Sequence, residues 1–418
     1  MASYAIRREA LRGVEERIFD LLSLSCSPGS WAEVLKPMLN VAAGKGDASL
    51  AQKLVAAGAE PGAAMRDAIW SGSVEVVDML LENGASAADN DSNGDAPLHV
   101  AARAGTQDVA RSLLLKGAEK DALCERSRTP LIFASQHGHV GVAEALLAAG
   151  ADPTLRADVD NADRSALEIA AERGHVNVMR VMIQHGIDVD DGGALAITAL
   201  HLAASEDNVD AIHLLMEAGA NIHKRNFLGN TPLHLAAIRQ PNVGAALALL
   251  EHGAIINTQD DKQQTTLHGA ARMAGVHGGS SELVDLLLRW GANEKVVDEA
   301  GLTPADVVGD NSDEYWYMTT DSGDVERVRK LLVDAPVDRA WRRRGLLVLC
   351  RSHPDKVQLR QDDEGCLLDV AGGDSQRPHR RVKGVCTPGG GRRDWVSFMA
   401  RVVGLQEEGI FRSIVRYI

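Results

Sequence analysis

The chain has 418 residues, of which 45% are hydrophobic and only 4% aromatic, and its formal net charge is −14. This composition allows a large aliphatic core, but no run of 18 apolar residues is free of charge, which argues against a transmembrane helix. The amino terminus lacks an apolar signal-peptide core, and the five cysteines are too scattered for a disulfide framework. We therefore expect a cytoplasmic or nuclear protein with reduced thiols.

Charge is distributed unevenly along the chain. Residues 1–338 sum to −21, whereas residues 339–393 sum to +7. This contrast predicts two parts with different surfaces. Because the acidic part repels phosphate backbones, nucleic acid is not its expected partner, and the basic runs Arg342–Arg344 and Arg380–Lys383 are only weak evidence for such a partner in the tail.

The first predicted element in chain order is a helix over residues 6–22, within an N-terminal helical cap assigned to residues 1–35. From residue 36 to residue 335 the sequence then repeats itself, which is typical of stacked repeat architectures. The register is set by leucines spaced 33 to 36 residues apart, namely Leu98, Leu131, Leu167, Leu200, Leu233 and Leu267.

Each repeated unit predicts two short antiparallel helices. Thr-Pro begins the first helix in several copies, with threonine as the cap and proline at the first helical position. Gly105, Gly138 and Gly174 end that helix, where a left-handed residue is needed. The second helix carries an apolar stripe that one unit cannot bury alone, so neighbouring units must stack.

The pattern resembles the ankyrin repeat, whose signature is a 33-residue period with Thr-Pro-Leu-His-x-Ala. The resemblance covers residues 36–335 and implies an all-α solenoid of about eight helix-turn-helix repeats joined by β-turn or hairpin loops, followed by a small helical C-terminal segment. Inserts at 276–281 and 310–320 depart from the pattern, which leaves open whether residues 301–335 form a true repeat.

One position of the repeat holds a histidine in four copies: His99, His201, His234 and His268. Metal ligands must converge on a point, whereas stacked repeats are displaced by roughly 10 Å, so these side chains cannot share a metal ion. The same position holds Ile132, Glu168 and Asp306 in other copies, which argues against catalysis. The resemblance implies that these histidines tie neighbouring turns together by hydrogen bonds.

Other candidate chemistry is weak. Cysteines and histidines between Cys350 and Cys386 lack a CxxC pair or regular zinc-ligand spacing. The glycines of residues 387–394 lack the features of a phosphate-binding loop, and the aspartates of residues 89–95 are typical of turns rather than a calcium loop. We therefore predict a non-enzymatic protein without a cofactor, metal ion or small-molecule substrate.

The resemblance implies a scaffold or adaptor that holds another protein on the concave side, formed by turn tips and the exposed face of the first helices. The apolar candidates for contact are Leu195, Ile197, Phe227, Leu228 and Ile238. The polar candidates are Arg103, Arg126, Arg128, Arg173, Asn230, Arg239 and Arg272. Arginine pairs well with carboxylates, so the expected partner is an acidic-hydrophobic segment. Two alternatives are ordinary solvated side chains and, for the apolar set, partial burial between adjacent turns.

The repeat stops after residue 335, and residues 336–418 form a basic segment. Helices are predicted over residues 339–352 and 395–418, with a flexible stretch without period at 360–394. The helices could cap the array or form a separate docking module. A third interpretation is a basic and apolar membrane-surface anchor, with Trp341 and Trp395 at the interface, which would make the protein a membrane-surface adaptor.

Overall fold

The computed structural model describes residues 31–91, 93–125, 127–159, 162–238, 241–275, 280–309, 322–336, 357–362 and 365–370. The predicted cap helix over residues 6–22 lies outside these residues, as do the predicted helices over residues 339–352 and 395–418. The chain divides into two compact units: Met1–Ala170 with Asn177–Ile187, and Ala171–Val176 with Asp188–Ile418.

The first part of the described chain runs as successive helix pairs, with a short hairpin before the fifth pair. Its elements are α1 (Trp31–Gly44), α2 (Ala48–Ala56), a 3-10 turn (Pro61–Ala64), α3 (Met65–Ser71), α4 (Val74–Glu82), α5 (Pro97–Ala104), α6 (Gln107–Leu115), α7 (Pro130–His137), α8 (Val140–Ala148), β1 (Arg156–Val159), β2 (Ala162–Ser165), α9 (Ala166–Arg173) and α10 (Val176–Gln184). Helix α1 begins at Trp31 and crosses residue 36, the expected boundary between the helical cap and the repeats.

The remaining elements continue the same alternation. They are a 3-10 turn (Gly193–Leu195), α11 (Ala199–Ser205), α12 (Val209–Glu217), α13 (Pro232–Ile238), α14 (Val243–Glu251), α15 (Thr266–Arg272), α16 (Ser280–Arg289), α17 (322–336), β3 (Val357–Asp362) and β4 (Gly365–Val370). The described helices up to α16 make eight pairs, which confirms the expected helix-rich repeat architecture.

Local sequence fixes where the helices begin and end. Thr129 caps α7 by accepting a hydrogen bond from the Ile132 backbone N–H at 3.3 Å, and Pro130 takes the first helical position. Gly138 ends the helix in the left-handed conformation, with φ of 75°. The predicted helix start and stop are therefore both confirmed in this repeat.

Within each unit, first helices pack on the first helices of neighbouring repeats and second helices pack on second helices. In the first unit α5 contacts α7 and α6 contacts α8, and in the second unit α11 contacts α13 and α12 contacts α14. The core between these layers is aliphatic, and it includes the fully buried Leu98, Leu113, Leu131 and Leu146 of the first unit. Stacking is thus what buries the apolar stripes.

Two antiparallel hairpins depart from a purely helical pattern. Strands β1 and β2 pair Arg156 with Ser165 in the loop before α9, where the leucine spacing is 36 residues instead of 33. Strands β3 and β4 pair Val357 with Val370. Residues 360–362 and 365–370 of the stretch expected to lack a period therefore lie in strands.

The irregular last repeat has a turn where its first helix would begin. Asp306 accepts hydrogen bonds from the backbone N–H and hydroxyl of Thr303, at 2.8 and 2.6 Å, but no helix follows within residues 301–309. Helix α17 takes the place of the second helix. Its buried Asp324 accepts hydrogen bonds from the backbone N–H groups of Gly275 and Ser281, both at 3.2 Å, which fixes α17 to the preceding repeat.

Candidate functional site

The four repeat histidines are buried, and each bonds in two directions. In the second unit, His201 Nδ1 accepts a hydrogen bond from the Thr198 backbone N–H at 3.2 Å, which leaves Nε2 to donate to the Asn230 carbonyl of the next repeat at 3.1 Å. The other members bond in the same way: His234 to the Gln264 carbonyl, His268 to the Leu302 carbonyl, and His99 to the Ala122 and Arg128 carbonyls. Each ring therefore spans two turns.

Burial also sets the protonation state of these rings. Desolvation lowers the pKa of His201 to about 4, and it lowers the pKa values of His99, His234 and His268 as well. The rings are therefore neutral near pH 7, which is the form with one donor and one acceptor that these two bonds require. Among the described residues, no group of three or more His, Cys, Asp or Glu side chains is placed to hold a metal ion.

A second set of side chains, missed by the sequence reasoning, also joins neighbouring repeats. Asn208 Nδ2 donates to the Ala171 and Glu172 carbonyls at 2.8 and 2.9 Å, and Asn242 makes the equivalent bonds one repeat later. In the first unit, His139 Nε2 lies 3.1 Å from the Arg103 carbonyl. The signal was present in the sequence, since each of these residues directly precedes the valine that begins a second helix.

Glu168 takes the histidine position in one repeat and makes a different contact. Its carboxylate is buried and lies 2.8 Å from the Arg156 guanidinium, which also contacts Asp163 across the β1–β2 hairpin at 2.9 Å. Burial raises the pKa of Glu168 to about 7, although Arg156 opposes that shift. An ion pair inside one repeat thus replaces the histidine bond between repeats.

In several turn tips, one side chain organises the backbone. Asn226 Oδ1 accepts hydrogen bonds from the backbone N–H groups of Leu228 and Asn230 at 2.9 and 3.0 Å, and Gly229 supplies the left-handed residue with φ of 74°. Asp91, Asp260 and Asp298 accept equivalent bonds in other repeats. The aspartates of these turns therefore act as turn formers.

Backbone hydrogen bonds connect neighbouring tips in the second unit. The Phe227 N–H donates to the Leu195 carbonyl at 3.0 Å, and the Asp261 N–H donates to the Leu228 carbonyl at 3.2 Å. The Glu299 N–H continues the series to the Lys262 carbonyl at 3.0 Å. Leu195, Phe227 and Leu228, which we call the tip patch, are thereby held on adjacent turns.

Several predicted partner-contact residues are accessible. Phe227 is 53% exposed, Leu228 49%, Leu195 41% and Ile238 36%. Ile197, Arg103 and Arg272 are half-buried, and Arg173 is exposed. Arg126 and Arg239 lie outside the described residues. The apolar candidates of the tip patch are thus accessible.

Two of the predicted contact residues are not exposed, which corrects the sequence prediction. Arg128 is only 8% exposed, because its side chain lies against Phe133 and Gln136 of its own repeat. Asn230 is 5% exposed, because it closes the Asn226 turn and its carbonyl accepts the His201 bond. Repeat register gave their positions in the turn but not the direction of their side chains.

Substitution of Gly269 in α15 tests the packing of this helix against α13, the first helix of the preceding repeat. A Cβ placed there would lie 3.5 Å from the Ala237 Cβ and 3.6 Å from the Ile238 Cγ1, which are ordinary contacts. We expect Gly269→Ala to raise the free energy of unfolding by about 1 kcal/mol, since alanine is the better helix former, and urea denaturation measures this.

Gly229→Ala is the matched control for that substitution. Its φ of 74° disfavours alanine, and a Cβ there would collide with the Asp261 carboxylate. We expect this variant to be destabilised. A loss of stability in Gly269→Ala would contradict the described packing of α13 against α15.

Comparison with known proteins agrees with this repeat geometry. The family model described as ankyrin repeats (three copies) matches residues 38–124, 65–157, 112–192, 155–226 and 200–298, and these matches together span more than half of the chain. The chain belongs to the ankyrin repeat family. The resemblance seen in the sequence is thereby confirmed.

A solved structure similar to this ankyrin repeat chain is the crystal structure of the human ASB11 ankyrin repeat domain. The two are 27% identical, with 49% of this chain and 89% of that chain covered and a TM-score of 0.44. No curated protein matches the chain. In the described residues, no helix is long and apolar enough to cross a membrane.

Membership of the family gives a general function. Ankyrin repeats mediate protein–protein interactions, and ankyrin repeat proteins are typically non-enzymatic interaction modules. The buried neutral histidines bond to the backbone and are closed to solvent, so another molecule cannot reach them. The exposed tip patch is instead available to another molecule.

Proposed function

We propose that this ankyrin repeat protein binds a partner protein through the tip patch of its second unit. The observation that carries the proposal is the exposure of three large apolar side chains, Leu195, Phe227 and Leu228, on adjacent turns. Apolar side chains grouped in this way typically mark a contact surface. Covering them would remove apolar area from water, which contributes a favourable free energy of about 25 cal/mol for each Å² buried.

The hydrogen bonds that order the tips support the same proposal. Asn226 holds the Phe227 and Leu228 turn from within, and the bond from the Phe227 N–H to the Leu195 carbonyl fixes its neighbour. A surface that is already ordered loses little conformational entropy on binding, so more of the contact energy appears as affinity. Neighbouring turns bury part of these side chains, but all three remain about half exposed.

The next tips are charged and give the patch a polar border. Asp261 and Lys262 follow on one tip and Glu299 on the next, all of them exposed. An apolar centre with a charged rim is the usual composition of a protein-binding surface. The preferred partner therefore presents an apolar group to the tip patch, with polar groups around it.

The experiment compares the proteins captured from cell extract by the full chain and by the Phe227→Ala, Leu228→Ala double variant. We expect the variant to lose about tenfold or more of the specific partner in quantitative mass spectrometry, as is typical when central apolar contacts are removed. Its melting temperature should stay close to that of the wild type, because both side chains are exposed.

Leu115→Ala is the matched control, since Leu115 is an exposed leucine of the first unit. We expect that variant to capture the partner as the wild type does. Equal capture by the double variant would show that the tip patch is not the binding surface.

A further inference from the structure

Two arginines of the first unit lie against one aromatic ring. The Arg103 Cζ is 5.1 Å and the Arg128 Cζ 5.8 Å from the centroid of the Phe133 ring, which is itself buried. Both distances are within the range of a cation–π contact. Two guanidinium groups thus lie against the same aromatic side chain.

Only one of the two arginines has a carboxylate partner in the described chain. Arg103 forms an ion pair with the buried Asp95, and the nearby Asp91 is 3.4 Å from the Arg66 guanidinium. Arg128 Nη1 donates a long hydrogen bond of 3.5 Å to the neutral amide of Gln136, and none of the described carboxylates is within ion-pair distance of its guanidinium. The Arg128 Nε is buried without an acceptor.

Repeat register explains how this imbalance arises. Asp95 and Arg103 occupy the same two repeat positions as Arg128 and Gln136 in the following repeat, 33 residues later. The earlier of these two repeats therefore has a carboxylate and a guanidinium at these positions, and the later one has a guanidinium and an amide. The position that holds a carboxylate in one repeat holds a cation in its neighbour, and no counter-charge has been added.

A buried cation without a counter-ion is costly, because desolvation is not offset by an ion pair. Arg128 is only 8% exposed, so water compensates it poorly. The same low dielectric strengthens any ion pair formed there, and the planar guanidinium matches a carboxylate with two parallel hydrogen bonds. The cluster of Arg66, Arg103 and Arg128 with Asp91 and Asp95 has a net charge of +1, which one carboxylate would neutralise.

We infer that Arg128, through the small part of its surface that remains exposed, binds a carboxylate side chain of an acidic segment in the protein partner. The inference rests on the proposed protein-binding function, but it concerns the first unit and uses different residues from the tip patch. Because Asp91 and Asp95 already have arginine partners, the incoming carboxylate bonds to Arg128 and does not displace an existing ion pair.

The test titrates the full chain with a fluorescein-labelled, amidated hexaglutamate peptide and follows fluorescence anisotropy. We expect hexaglutamate to bind and the equivalent hexaglutamine peptide not to bind. Arg128→Gln should weaken hexaglutamate binding by about tenfold or more, as for the loss of one partner of a buried charge pair. Arg111→Gln, which removes an exposed arginine of α6, should leave binding unchanged.

Stability distinguishes ligand binding from a structural role. Arg128→Met removes an unpaired charge and keeps the length of the side chain, so its melting temperature should equal or exceed that of the wild type. Its binding of hexaglutamate should be lost. Equal binding of hexaglutamate by Arg128→Gln, or no binding by the wild type, would overturn the inference. The Phe227→Ala, Leu228→Ala variant should still bind hexaglutamate. The experiment on the tip patch and the experiment on Arg128 can therefore fail independently of each other.

Discussion

Acidification from pH 7.5 to pH 5 is expected to lower the free energy of unfolding of the second unit by about 2 kcal/mol through His201 alone. Its folded pKa is lowered to about 4, below the ordinary value of 6.5, so the unfolded chain takes up a proton first as pH falls. The stability contribution is therefore complete above about pH 6.5 and is lost between there and pH 4. Urea denaturation at a series of pH values measures the loss.

His201→Gln provides the decisive comparison for this pH dependence. It should be less stable at pH 7.5, because a flexible glutamine amide replaces the rigid ring that bonds Thr198 and Asn230, but its stability should fall by about 2 kcal/mol less on acidification. His223→Gln, the same substitution at an exposed histidine of the same unit, is the control for the substitution itself. An unchanged slope in His201→Gln would refute the assignment.

Removal of Arg156 is expected to destabilise the first unit by about 3 kcal/mol at pH 8, because it leaves the buried Glu168 carboxylate without a partner. The loss should be smaller at pH 5.5, since burial already raises the pKa of Glu168 to about 7 and protonation removes the buried charge. Chemical denaturation of Arg156→Ala at the two pH values measures this difference.

The double variant Arg156→Ala, Glu168→Gln isolates the charge from the packing. We expect it to recover stability relative to Arg156→Ala at pH 8 and to lose the part of the pH dependence that comes from Glu168, because glutamine carries no charge to desolvate. If Arg156→Ala is equally destabilised at both pH values, then lost contacts rather than an unpaired charge are responsible.

The repeated frame of this protein could be predicted from the sequence because each repeat encodes it locally. Thr129 and Pro130 begin a helix, and Gly138 ends it. The leucine register then places buried residues such as Leu98 and Leu131 in the same layer. Such signals recur in several copies, so errors in one repeat do not change the architecture.

The site was harder to predict, because the direction of a side chain depends on its neighbours. Arg128 and Phe227 both belong to turns, but Arg128 folds back on Phe133 whereas Phe227 points to solvent. Register alone does not distinguish the two cases. The ion pair of Arg156 with Glu168 was also missed, since it depends on a hairpin that only the longer repeat spacing accommodates.

The bonds that Asn208 and Asn242 make have a consequence for how such a chain changes over evolution. Both amides donate to main-chain carbonyl oxygens, so the accepting repeat can have almost any sequence at those positions. A gene segment encoding one whole repeat could thus be duplicated or deleted, and the new neighbours would still find their acceptors. The number of repeats can change without a redesigned junction, while the side chains at the tips diversify independently.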